Sequence, residues 1–113
     1  MKSITFQITD RDIEQYAKLS GDDNPIHLDL AEANRQGFSN KVAHGMLTMA
    51  KIWSVLSQDF LLPYHIPKHY EISFVSPVYI SDKVTIDVKR AEDEYRFECK
   101  SNEKIIAKGS FTI

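Results

Sequence analysis

The stretch from Val42 to Phe60, VAHGMLTMAKIWSVLSQDF, constrains the fold more than any other part of the chain. Met46, Met49, Ala50, Trp53 and Leu56 recur at helical spacing, and Leu47, Ile52 and Val55 widen the apolar arc. His44, Thr48, Lys51 and Gln58 fall on a narrower polar stripe. A helix apolar over most of its circumference has to be buried on several sides. Pro63 and Pro67 end the helical region.

The C-terminal half supplies what could wrap such a helix. From His69 the period changes to two. Tyr70, Ile72 and Phe74 alternate, then Val84, Ile86 and Val88, then Tyr95, Phe97 and Cys99, then Ile105, Ala107, Gly109, Phe111 and Ile113. SPVYISD, AEDE and SNE carry turn chemistry between these runs. Short joins between successive strands imply antiparallel pairing. Ser3–Ile8 adds an N-terminal strand with Ile4, Phe6 and Ile8 on one face. The expected architecture is α+β, an antiparallel sheet wrapped around a long central helix. Periodicity does not supply the strand order.

The segment between strand and long helix is punctuated by caps. Thr9 or Asp10 can start a helix in which Ile13, Tyr16 and Ala17 share a face, and Gly21 suits its end. Asp29 with Glu32 resembles a capping box opening a short helix, LAEANRQ, closed by Gly37. At 113 residues the chain is read as one domain, 1–113. Its 42% hydrophobic and 27% charged content argues against disorder. A formal charge of −2 gives no electrostatic reason to expect nucleic acid. Cys99 is the single cysteine, so no internal disulfide is expected. MKSITFQITD lacks the apolar core of a signal peptide, and no run reaches membrane-spanning length. A cytoplasmic protein is the expectation.

Between the two helical regions lies SGDDNPIHLD, Ser20–Asp29, with three carboxylates, an asparagine and a histidine. Pro25 stiffens the loop by fixing its own φ and holding Asn24 extended. Asp22 and His27 are both in basic form near neutral pH by their ordinary pKa values, so together they could move a proton to and from water. Taken alone, the same residues are more commonly turn and capping chemistry. A metal site from Asp22, His27, Asp29 and His44 matches no compact zinc spacing, and none is expected. Further on, VAHGML places His44 and Gly45 at the start of the long helix. Its first N–H groups lack intrahelical partners, and a glycine lets a ligand approach them, as in an oxyanion hole. The commoner reason for glycine there is packing.

Together these residues resemble the signature of the MaoC-like hydratases, the (R)-specific enoyl-CoA hydratases of hot-dog fold. Asp22, Asn24, Pro25, Ile26, His27, Gly37, Phe38, Val42, Ala43, His44, Gly45 and Met46 match without gaps. The resemblance implies a single hot-dog domain, dimerised into a continuous sheet. It implies a hydro-lyase that reversibly adds water, syn, to a trans-2-enoyl thioester of CoA or acyl-carrier protein, in fatty acid metabolism. Asp22 and His27 become the catalytic pair, Asn24 orients the water, and the Gly45 N–H receives the thioester carbonyl. No cofactor or metal is implied. Met49 and Trp53 are expected to line the acyl pocket, with Trp53 closing its far end.

One departure stands out. Ser81–Asp82 occupies a turn where the family pattern has Gly-Asp. Two other functions fit the same fold. One is a non-catalytic acyl-thioester-binding or assembly subunit, which would have no need to keep Asp22, Asn24, His27 and Gly45 together. The other is a thioesterase, whose carboxylate belongs on the central helix, where this chain has no acid before Asp59.

Overall fold

The computed structural model describes residues 2–60 and 66–113, so Pro63 and His65 lie outside the described residues. In chain order the elements are β1 (Lys2–Gln7), α1 (Asp10–Ser20), α2 (Pro25–Leu28), α3 (Leu30–Arg35), α4 (Gly45–Phe60), β2 (His69–Phe74), β3 (Lys83–Ala91), β4 (Glu94–Ser101) and β5 (Lys104–Thr112). The five strands form one antiparallel sheet in the order β1-β3-β4-β5-β2.

Most period-two residues do what the alternation predicts, though Phe74 at the end of β2 is 40% exposed. Val84, Ile86 and Val88 of β3, Phe97 and Cys99 of β4, Ala107 and Phe111 of β5 and Phe6 of β1 share one buried face. Ile52 and Leu56 of α4, fully buried, join that face in one core. The opposite face carries Asp87, Lys89, Arg96, Glu98 and Lys100. A register shift at Cys99/Lys100 interrupts the pattern in β5, so that Ile106 and Ala107 are both buried. Gly109 is required by close approach. A Cβ there would stand 2.4 Å from the Glu71 carbonyl oxygen and 2.4 Å from the Phe97 ring.

Local caps set the N-terminal half. Thr9 and Asp12 form a capping box on α1, and the box lowers the Asp12 pKa chiefly through the Thr9 backbone N–H. Gly21 ends that helix at φ 78°. Asp29 caps α3 by accepting from Ala31 and Glu32, but only half of the expected box forms. The Glu32 carboxylate turns to Arg35 and Gln36, which hold its pKa down at about 2.

Two expectations need correction. The long helix starts at Gly45, not Val42. Val42 and Ala43 are extended, bridging to Tyr79 and donating to the Val78 carbonyl. His44 precedes the helix, its carbonyl accepting from the Thr48 N–H and hydroxyl. The polar and apolar positions of the helix do not sort by burial either. His44 and Thr48 are buried, whereas Met46 is 66% exposed. α4 thus buries one side within this chain rather than several.

The turn before β3 shows the cost of the Ser81 departure. Ser81 sits at φ 65°, its N–H donating to the Ile8 carbonyl at 2.9 Å. A non-glycine residue in this region carries about 1–2 kcal/mol of strain. Glycine would relieve it at about 0.5–1 kcal/mol in unfolded-chain entropy. Ser81→Gly is therefore expected to stabilise the fold by roughly 0.5–1 kcal/mol. Urea unfolding measures this, and a lowered midpoint would contradict it.

Candidate active site

The polar loop is anchored from both ends. Asn24 caps α2, a four-residue helix absent from the sequence-based expectation, its side-chain carbonyl accepting from the Ile26 N–H at 3.2 Å. Pro25 occupies the first turn, where a missing N–H is harmless. One turn of helix carries His27 inward, to 8% exposure. Its Nδ1 is 2.6 Å from the Val42 carbonyl oxygen, while the Val42 N–H donates to the Ile26 carbonyl at 3.0 Å. A carbonyl can only accept, so Nδ1 carries the proton, and in the neutral ring Nε2 presents a lone pair.

That lone pair faces a carboxylate. Asp22 Oδ2 lies 4.0 Å from His27 Nε2, and the Asp22 side chain is half exposed where the imidazole is buried. The separation is too long for a direct hydrogen bond and suits a bridging water with about 2.8 Å to each acceptor. Asp22 Oδ1 accepts from the Asn24 N–H at 3.4 Å.

His44 closes the assembly. Its Nε2 lies 2.9 Å from the Asp22 carbonyl oxygen, and its ring stacks on His27 with centroids 3.8 Å apart and planes at 25°. Tyr16 of α1 meets the same ring edge-on at 4.8 Å. Donor atoms of Asp22, His27 and His44 lie within 4.8 Å of one another. Each ring already has one nitrogen against a carbonyl oxygen, and three ligand atoms fall one short of a closed four-ligand zinc centre. Asp29, grouped with them on sequence alone, caps α3 instead.

A groove of ≈ 470 Å³ opens beside His27, with walls that include Phe38, Gly45, Thr48, Phe74 and Pro77. Gly45 is exposed to it and opens α4, so its N–H has no intrahelical carbonyl to meet. A Cβ added at Gly45 meets nothing within 4 Å, so packing within the chain does not demand glycine. Asp22, Asn24, His27 and Gly45 therefore gather around one end of α4. The groove's far wall, Phe74–Val78, comes from the end of β2 and the loop after it, and helical or strand periodicity offered no signal for its role.

Met49 and Trp53 are placed elsewhere. The Met49 carbonyl accepts from the Tyr70 hydroxyl at 2.8 Å, and Trp53 packs on Tyr70 and Phe111 at 4.9 and 5.4 Å. Neither belongs to the groove wall. Burial raises the Tyr70 phenol and pushes the Cys99 thiol up to about 12, so neither is a nucleophile near neutral pH. His69 is exposed and pairs with Glu71 at 3.3 Å. A second depression, of ≈ 430 Å³, lies among Asp87, Lys89, Arg96, Glu98, Lys100 and Lys108. Its charges are of both signs, and no imidazole lines it.

Among the described residues no helix is long and apolar enough to cross a membrane. Compared with known proteins, residues 2–110 match the MaoC like domain. The mitochondrial 3-hydroxyacyl-[acyl-carrier-protein] dehydratase of Arabidopsis thaliana is 32% identical over 89% of this chain, which spans 66% of that protein's length, just under two thirds. The (R)-specific enoyl-CoA hydratase of Rhodospirillum rubrum is 30% identical over 98% of this chain and 82% of its own. The solved (R)-hydratase of A. caviae, involved in PHA biosynthesis, superimposes with a TM-score of 0.82 at 26% identity, covering 97% of this chain and 89% of that one. These relatives are named as hydratases and dehydratases, that is, as hydro-lyases. With a match running from the first strand to the last, the chain belongs to the MaoC-like domain family and has its hot-dog fold.

Proposed function

We propose that this protein is an (R)-specific enoyl-thioester hydratase, equally a 3-hydroxyacyl-thioester dehydratase in reverse. One observation carries the reading. The His27 Nε2 lone pair faces the Asp22 carboxylate at 4.0 Å, beside a groove that also meets the N–H end of α4 at Gly45. A water between the two acceptors donates to both and turns its oxygen lone pairs outward. Asp22 takes a proton as that oxygen attacks C3 of a trans-2-enoyl thioester. His27 holds the water, and the pair returns a proton to C2 on the same face, which makes the addition syn. Negative charge gathering on the thioester oxygen is met by the Gly45 N–H. Asn24 commits its carbonyl to capping α2, so its NH2 is the group assigned to orienting the water.

The substrate is a CoA or acyl-carrier-protein thioester, in fatty acid metabolism, and a reducing cytoplasm suits the single buried thiol. We assign the functional unit as a homodimer joined through β2. This is an edge of the sheet, and its last residue, Phe74, and the following Val75 are 40% and 62% exposed. A thioesterase is disfavoured because α4 carries no acid before Asp59, one residue from its end.

The test follows loss of enoyl-thioester absorbance with crotonyl-CoA and its longer homologues, with chiral analysis of the product and light scattering for the assembly. Hydration to the (R)-3-hydroxyacyl product by a dimer is the expected result. A folded protein that hydrates neither CoA nor carrier-protein enoyl thioesters would refute the assignment.

A further inference from the structure

His44 has no role in the reaction as drawn, yet it is 2% exposed and touches both members of the catalytic pair. The contacts are reciprocal. His27, on the polar loop, donates to the Val42 carbonyl on the segment leading into α4. His44, on that segment, sits with Nε2 against the Asp22 carbonyl of the loop. Each chain segment therefore supplies one imidazole and one carbonyl to the other, and the two rings stack between them.

The other nitrogen shows which part of His44 matters. Nδ1 is buried and has no hydrogen-bond partner, an unfavourable state for a polar atom. A ring that merely filled this space between Tyr16 and His27 would do better as phenylalanine. What histidine adds is the Nε2–H. Since the Asp22 carbonyl can only accept, the His44 tautomer is opposite to that of His27.

We propose that His44 is a positioning residue whose Nε2–H fixes the Asp22 main chain, and so holds the Asp22 carboxylate across from His27 at the water-bridging separation. The kinetic consequence rests on the hydratase reading above; the hydrogen bond does not.

The test compares His44→Phe with His44→Gln, using crotonyl-CoA as substrate. Gln can place an N–H near the Nε2 position, whereas Phe keeps a flat ring and loses the donor. His44→Phe is expected to lose about 10²-fold in kcat, the size of effect that a small misplacement of reacting groups produces, with KM within about threefold. His44→Gln should stay within about tenfold of wild-type kcat. A ring acting through packing alone gives the reverse order, Phe above Gln. That order, equal losses in both variants, or unchanged kcat in His44→Phe overturns the proposal. Long-range 1H–15N spectra of the unaltered protein give a reading independent of turnover. They should show the proton on Nε2 of His44 and on Nδ1 of His27. A proton on His44 Nδ1 instead overturns the proposal even if the enzyme is active. The expected tautomers in a protein without hydratase activity would sustain the clasp and refute only the proposed function.

Discussion

Asp22→Asn is expected to give a folded protein whose kcat on crotonyl-CoA falls by about 10²–10⁴, with KM little changed. The substitution keeps the shape of the side chain and removes its basicity. The Asp22 side chain is half exposed, and its carboxylate accepts only a long hydrogen bond from Asn24, 3.4 Å, so little of the fold depends on it. His27 needs a more careful replacement. Its Nδ1–H satisfies the buried Val42 carbonyl, and His27→Ala would leave that oxygen unpaired at about 1–3 kcal/mol. His27→Asn places an amide NH2 near the Nδ1 position and removes the Nε2 lone pair, together with the ring face that stacks on His44. It should fold with wild-type near-UV circular dichroism and lose activity to the same degree as Asp22→Asn. If the two groups act on one water, as proposed, the double variant should be little worse than either single one. Near-wild-type turnover in either single variant would sink the assignment of the pair.

The parts of this molecule legible in its sequence are those whose determinants are local. Thr9, Gly21 and Asp29 mark helix ends because a cap is a contact over three or four residues. Strand faces can be read at Val84, Ile86 and Val88 because a sheet with one buried face imposes period two. The start of α4 was not legible. Val42 and Ala43 carry helical spacing but are drawn straight by Val78 and Tyr79, more than thirty residues later in the chain. Likewise the burial of His44 could not be read from a polar stripe, because its partners, Tyr16 and the Asp22 carbonyl, belong to other elements. At the polar loop, turn chemistry had the stronger local claim on the same residues. The structure shows the turn chemistry to be real: Asn24 caps α2 and Asp22 accepts from Asn24. What raised the loop above a turn was the ungapped pattern reaching to Gly45, a long-range relation that no local propensity contains.

Gly45 offers the second large effect. Two explanations of this glycine compete, packing at the helix start and access to its N–H, and contacts within the chain give the first no support. Its φ lies outside the left-handed region, and an added Cβ meets no atom within 4 Å. Alanine should therefore be accommodated in the fold, and proline as well, since the first helical position needs no N–H for the helix itself. The two substitutions differ in what they do to a ligand. Gly45→Ala projects a methyl group into open space at the groove while keeping the donor, so it should act mainly through crowding and raise KM. Gly45→Pro removes the donor outright. If the Gly45 N–H receives the charge that builds on the thioester oxygen, kcat should fall a further 10²–10³-fold, roughly, below that of Gly45→Ala. Thermal unfolding of both variants near the wild-type midpoint would show that the helix start is intact. Steady-state kinetics on crotonyl-CoA then decides the matter. Equal kcat in the alanine and proline variants would mean that this N–H stabilises no transition state. Glycine would then be needed there only for room, and the negative charge would have to be met by another donor in the groove wall.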